Sequence, residues 1–533
     1  MSLSILVLVC GSISANPGEE VPVVTGIWPS GVTLGTRQRW TITGRHLQPV
    51  NSVIATGEGL LIHPPAVQAD GRSLTVEVEA RADSTIGSRE IRVDGPSGIS
   101  NLALVRVDSL PQILEVEPND RTPAPGQIVP VGTAVFGTIR LLDVDHFRVA
   151  GRPGQRVTLD WETRRLGTAI IPLMTITGPN QTAIRQVRSS RGGDRDCRAA
   201  VNVPPEGWFA VELRDNTFSG DDRARYRLRV DPATGSSPQA GSRAAVSPTG
   251  GQSIVGRINS PGQVDRYRVE VKKGERLRAR VEAAAAGSWL DSVVTVLGPH
   301  GEQLGENDDR PPSSPLEPPP TIDGSPSTDS EVDVEIKEDG PITVEVADRF
   351  DSGGPEFGYR LELGPPRNDF AIFVLPDPNA NDLAAEARLT PAANPGAYGS
   401  FNLPPGSTTS VPFLIVPRGR PGSVEVRVEG LPVGVEAEPV TVRLAPAPRP
   451  GSRAAAIWDA PPVVDSFRLR VRPDAGPVLG QFRVIARAKA MDGSTLDREA
   501  VRVVGVDSAG GPERPVIRRL DRFFARVLPA SDP

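Results

Sequence analysis

Reactive side chains are scarce in this chain. Its 533 residues hold two cysteines, four histidines and four lysines. The start, "MSLSILVLVCGSISANPGEE", has an apolar core from Leu3 to Val9 followed by small residues, and it reads as a secretory signal over 1–15 without the usual positive first region. Cleavage near Ala15, or near Ser12/Ser14, or lipid attachment at Cys10 are the options it leaves open. With that segment removed, Cys197 in "GGDRDCRAA" is the only thiol, so no disulfide forms within the chain and stability must come from apolar cores. Cys197 lies among charged residues, which suit an exposed, acidified thiol; an incidental cysteine is the plainer reading.

Basic charge in one block is also missing. The formal net charge is −6 and the 59 basic residues are dispersed, so no footprint for nucleic acid is present. No apolar run reaches the ~18 residues of a membrane-spanning helix. Peptidase signatures are absent: no Gly-x-Ser-x-Gly, no His-Glu-x-x-His, no subtilisin-like Gly-Thr-Ser. "FDSGG" at Phe350 to Gly354 imitates an aspartic-peptidase motif in a loop. His46, His63, His146 and His300 show no spacing that converges on a metal or a relay. These absences point away from an enzyme.

Gly (54) and Pro (55) are plentiful, and the length calls for three to five domains. A repeat organises them. "DHFRVAGRPGQRVTL" from Asp145 aligns with "DRYRVEVKKGERLRA" from Asp265, and "TITGPN" from Thr175 with "TVLGPH" from Thr295, all at an offset of 120. "GWFAVELRDNTFSGDDRARYRLRV" from Gly207 then aligns with "GPITVEVADRFDSGGPEFGYRLEL" from Gly340 at an offset of 133. The difference falls in a Pro- and Ser-rich loop over 310–328. Within each copy apolar and polar residues alternate between Gly and Pro turns, as in Tyr267/Val269/Val271. That pattern predicts antiparallel strands of a sandwich or jelly roll.

The series "EVEPND", "GTIRLLDVDHFRV", "GQRVTL", "PLMTITGPN", "EGWFAVEL" and "YRLRV" resembles the bacterial pre-peptidase C-terminal domain, an all-β module commonly appended to secreted peptidases. The resemblance covers 115–231 and, without the acidic entry motif, 247–364. "PVVTGIWPSGVTLGTRQRWTITGRHL" is similar to the start of an immunoglobulin-like domain of the transcription-factor type, over 21–108. Strand-like segments between turns suggest another immunoglobulin-like sandwich over 367–507. The fold expected is therefore all-β, a multi-domain chain of antiparallel β-sandwiches or jelly rolls. One segment departs from it: in the tail 508–533, Val516, Ile517, Leu520, Phe523, Phe524, Val527 and Leu528 recur at helical spacing opposite four arginines. That predicts a short C-terminal amphipathic helix, packed on its own domain or touching a membrane surface.

The stretch "EVEPNDRTPAPGQ" gathers oxygen ligands. Glu115, Glu117, Asn119 and Asp120 offer carboxylates and an amide, as a hard cation such as Ca²⁺ requires; on extended backbone Glu115, Glu117 and Asn119 share a face. In the resembled family, collagen-binding domains of clostridial collagenases hold calcium through this entry segment and a following loop. The resemblance adds Asp143 and Asp145 from "LLDVDHF", although Asp265 in the second copy suggests that Asp145 only closes a turn. The alternative is an acidic, solvated domain junction. Trp28, Trp161, Trp208 and Trp289 suit either a ligand groove or cores, with Trp208 read as core. These features predict a non-catalytic exported protein, periplasmic, at the cell surface or extracellular. Its modules would act in adhesion, binding or spacing, with extracellular matrix, polysaccharide or a protein as ligand. The competing expectation is an accessory or truncated part of a secreted peptidase.

Overall fold

A computed structural model describes residues 21–530 with breaks, the longer ones at 121–126, 189–195, 233–251, 309–328, 376–398, 445–462 and 507–515. Every described element longer than a turn is a strand. The strands form eight sheets that pair into four sandwiches, each around its own apolar cluster. The alternating sequence explains this directly: Ser73–Ala80, SLTVEVEA, buries every second residue, because successive side chains point to opposite faces of a strand.

The first sandwich has two five-stranded sheets around Trp40, Ile42, Val76 and Val105. The second and third share a strand order. In the second, one sheet runs Gln112–Leu114, Thr133–Thr138, Arg225–Pro232, Arg156–Glu162, Cys197–Asn202; the other runs Gln127–Pro130, Asp145–Ala150, Trp208–Asp215, Pro172–Thr177, Ala183–Arg188. The third keeps four strands of each sheet in the same order and, among the described residues, has no counterpart of Gln112–Leu114 or Gln127–Pro130. Those two extra strands both pair in parallel with the edge they cover, and "EVEPND" is the stretch that leaves the first of them. The acidic motif thus sits where the entering chain crosses from one sheet of the sandwich to the other.

The fourth sandwich has two six-stranded sheets, and here the expected C-terminal helix is corrected. Val516–Leu520 and Phe523–Val527 are strands in different sheets, the second lying between Ser400–Leu403 and Val478–Lys489. Phe523, Ala525 and Val527 face the core. Phe524 and Arg526 face the first sandwich, where Arg92 covers the Phe524 ring and Arg526 pairs with Asp94 at 3.0 Å. A strand buried on both faces reads as a continuous apolar run, and that run imitated helical spacing. No helix is there to lay on a membrane surface, and among the described residues no helix is long and apolar enough to cross one.

The first sandwich also packs on the second. Arg227, fully buried, pairs with Asp108 and lies 3.3 Å from Glu162, which is fully buried too. Arg106 of the first sandwich is 3.6 Å from the same Glu162. Three charges from two sandwiches are taken out of water together, with Arg106 half-buried beside them, a costly step that only mutual pairing offsets.

Candidate metal centre

The second sandwich brings three of the predicted residues to one point. Ligand oxygens of Glu115, Glu117 and Asp145 all lie within 4.8 Å of one another. Glu115 follows the strand Gln112–Leu114; its carboxylate accepts the Thr138 amide at 2.9 Å and the Tyr226 hydroxyl at 3.1 Å. The approach depends on Gly137, since a Cβ there would stand 2.1 Å from the Glu115 carboxylate and 2.3 Å from the Tyr226 ring. Asp145 begins its strand fully buried, and the donor beside its carboxylate is the Tyr226 hydroxyl, which also bonds to Glu115. The Asp145 carboxylate faces the acidic entry.

Glu117 is exposed, accepts the Asn119 amide at 2.8 Å, and lies 3.5 Å from the Arg140 guanidinium. Asn119 is buried, its side-chain Oδ1 and Nδ2 unpartnered, while its carbonyl lies 3.2 Å from His146 Nδ1. Asp143 holds the loop through the Arg140 amide at 2.8 Å and shares a hydrogen bond with the exposed Asp120. All six predicted residues thus belong to one corner, with three in direct reach of a common point.

The electrostatics follow from burial and crowding. Burial pushes the Asp145 carboxyl up to about 9, and the Glu115 charge adds to the shift against the Tyr226 hydrogen bond. Burial likewise pushes Glu115 up to about 7, against the Tyr226 hydrogen bond and with the Glu117 charge. Asp143 is raised by burial as well. Carboxylates that repel one another out of water need a proton or a cation between them. A hard cation fits this donor set: all oxygens, irregularly disposed, with the Asp145 and Glu115 carboxylates sharing one Tyr226 hydroxyl.

Two partners escaped the sequence reading. Tyr226 lies in the core, edge-on to Trp161 at 5.8 Å, and its only signal was the Tyr shared by "YRLRV" and "YRLEL". His146 is not a plain strand histidine. It is buried, 3.5 Å from Glu212, and that carboxylate raises it although burial opposes the shift.

Other expectations fall elsewhere. Trp161 is core. Trp208 is not: it is half-buried on the outward face of its sheet, with the Arg148 guanidinium 4.0 Å from its ring centre. Trp289 and the 310–328 loop lie outside the described residues. Cys197 is buried and its thiol pushed up by burial, which makes it inert. Its charged sequence neighbours did not expose it.

No protein-family model matches the chain, and no curated protein does. Solved structures with some likeness include the pre-peptidase C-terminal domain of a collagenase from Bacillus anthracis, 14% identical. That match covers 21% of this chain and 99% of that one with a TM-score of 0.17. SGBP-B of a mixed-linkage glucan utilization locus of Bacteroides ovatus, in complex with a heptasaccharide, is 11% identical. It covers 65% of this chain and 75% of its own, with a TM-score of 0.17. SGBP-B of a xyloglucan utilization locus in Bacteroides uniformis is 10% identical over 40% of this chain and 74% of its own, with a TM-score of 0.16. Scores this low leave the functional question to the site itself.

Proposed function

We propose that this is a non-catalytic exported binding protein built of four β-sandwiches, in which calcium at Glu115, Glu117 and Asp145 locks the entry of the second. The observation that carries the reading is Asp145, a fully buried carboxylate that shares the one Tyr226 hydroxyl with Glu115 and faces two further carboxylates. Asn119, Asp120 and Asp143 complete the oxygen-rich corner, and Tyr226 orients Glu115 by donating its hydroxyl. When bound, the cation supplies charge neutralisation. The chain's own residues do the rest: Glu115 and Glu117 tie the crossing segment to Asp145, fixing both added strands on their sheets. Matrix, polysaccharide or protein ligands remain the class of partner, and the sandwich faces remain the surfaces that would bind them.

The test is calorimetric unfolding of the full chain with about 1 mM calcium, the range used by extracellular modules, or with chelator, across pH. The sign follows from the two raised carboxyls. Without metal, their protonated forms stabilise the fold below the ordinary carboxylate range, and that contribution is lost as pH climbs through about 7 for Glu115 and about 9 for Asp145. Calcium must displace those protons, so its stabilisation grows with pH over the same window. At a hundredfold excess over Kd the gain is about 2.7 kcal/mol, and Asp145→Asn abolishes it. An unfolding profile insensitive to calcium at every pH would leave the corner as an acidic junction and sink the proposal.

A further inference from the structure

The loops that carry the acidic corner end in an apolar tip. Leu141 and Leu142, between the strands Thr133–Thr138 and Asp145–Ala150, are 71% and 72% exposed. Beside them Phe218, from the loop between Trp208–Asp215 and Arg225–Pro232, is 39% exposed, and its carbonyl accepts the Leu142 amide at 3.0 Å. Leu142 and Phe218 both have positive φ, 64° and 58°, a region that bulky residues rarely adopt. Single exposed apolar residues are ordinary, but a cluster of three, two of them held in unfavourable backbone geometry, beside the acidic corner calls for a reason.

The tip is built rigidly. Asp215 accepts from the Thr217 amide at 2.7 Å and the Ser219 amide at 3.1 Å, and the Arg214 guanidinium covers the Phe218 ring at 4.4 Å. The sequence of the third sandwich offers no equivalent: where the second has "RLLDVD", the third has "SPGQVD". Exposed leucines thus occur on the copy that carries the acidic entry.

The chemistry of the neighbourhood selects the partner. Glu117 and Asp120 are exposed, so a cation held in the corner would keep part of its coordination shell facing outward, beside the leucines. Arg140 is paired with Asp222 and Glu117, Arg214 with Glu212, and Arg223 with Asp221, so a bound cation would be the added positive charge there. A partner that fits presents an oxyanion directly next to an apolar phase. Side chains projecting this far suit a fluid phase that closes around them better than a flat protein surface, which would need matching hollows.

We propose that this tip is a calcium-dependent lipid-docking surface: Leu141, Leu142 and Phe218 enter the acyl margin of an anionic bilayer while a headgroup phosphate completes the calcium shell beside Glu117. The proposal rests on the calcium reading of the corner. The experiment is co-sedimentation of the full chain with phosphatidylcholine vesicles, with and without a phosphatidylglycerol fraction, in about 1 mM calcium or chelator. It is run beside calorimetry on the same samples and repeated for Leu141→Ser/Leu142→Asn, Asn being tolerant of positive φ.

Retention on anionic vesicles in calcium, release by chelator, and weakening of about tenfold or more in the double variant, whose calcium-induced rise in Tm is unchanged, is the expected result. A rise in Tm without retention, retention equal on neutral vesicles, or retention unaffected by the leucine substitutions overturns the lipid proposal and leaves the calcium reading standing. Calcium-dependent dimerisation lost in the double variant overturns it in favour of a second copy as occupant. Neither a rise in Tm nor retention overturns both.

Discussion

The second and third sandwiches put an aspartate and a buried tyrosine in the same place and satisfy them in different ways. In the third, Tyr359 donates to Asp265 at 2.5 Å, Gln263 donates to its other oxygen at 2.7 Å, and the hydroxyl of Tyr267 lies 2.6 Å from that of Tyr359. In the second, Phe147 stands where Tyr267 does, and the Tyr226 hydroxyl is shared between Asp145 and the added Glu115. A buried carboxylate must be given a donor, a proton or a cation. The third sandwich supplies donors from its own chain; the second, having brought in Glu115 and Glu117, has more acceptors than donors, a surplus that a proton or the proposed cation would balance.

The largest test of the comparison concerns a different shared pair. Glu162 faces Arg227 across strands in the second sandwich as Glu282 faces Arg360 in the third. The first pair is fully buried under the preceding sandwich, with Asp108 and Arg106 joining it, whereas Arg360 is exposed. Removing one member of a buried pair leaves uncompensated charge. Arg227→Ala is therefore expected to cost about 3–5 kcal/mol, and Arg360→Ala no more than about 1 kcal/mol, both read by urea unfolding of the full chain. Equal costs would mean that the first and second sandwiches are not held together as the structure has them.

The next test separates the two ways of satisfying the aspartate. Tyr359→Phe takes from Asp265 its shortest hydrogen bond and should destabilise the third sandwich by about 1–3 kcal/mol, with or without calcium. Tyr226→Phe takes a donor from Glu115, a loss that calcium would offset. Its cost in calorimetry should therefore be larger in chelator than in calcium. Identical calcium responses of the two variants would show that the corners are chemically alike and that the added carboxylates change nothing.

How far these contrasts could be read beforehand differs by feature. The repeat, the strand alternation and the acidic entry are written in local sequence, because period-2 burial and turn residues act over a few positions. Gly137, Tyr226 and His146 contribute through approaches between distant strands, which no spacing announces. Exposure was the least legible property. Glu162 and Arg227 look like the surface pair Glu282 and Arg360 until the neighbouring sandwich covers them, and Phe523–Val527 looked helical because both of its faces are buried. In each case the missing information was what lay on the other side of the sheet.

Cys197 gives the smallest and cleanest version of the comparison. Pairing of Trp161 with Cys197, and the Val281 amide bond to Ser330, place the two residues at the same point of their sheets. Ser330 bonds to Ser292 at 2.8 Å, while the Cys197 thiol donates to the Pro172 carbonyl at 3.2 Å. Pro172 is the residue at which Ser292 stands in the other copy. The site therefore tolerates a hydroxyl in one copy and holds a weakly donating thiol in the other. Cys197→Ser should cost only about 1 kcal/mol, since the hydroxyl inherits the carbonyl acceptor. The thiol, raised by burial, should resist alkylation by iodoacetamide at neutral pH until the second sandwich unfolds, so its labelling rate tracks the opening of that sandwich alone. If calcium ties the crossing segment to the second sandwich as proposed, it slows that labelling; rapid labelling of the folded chain would place Cys197 at the surface and undo the match with Ser330.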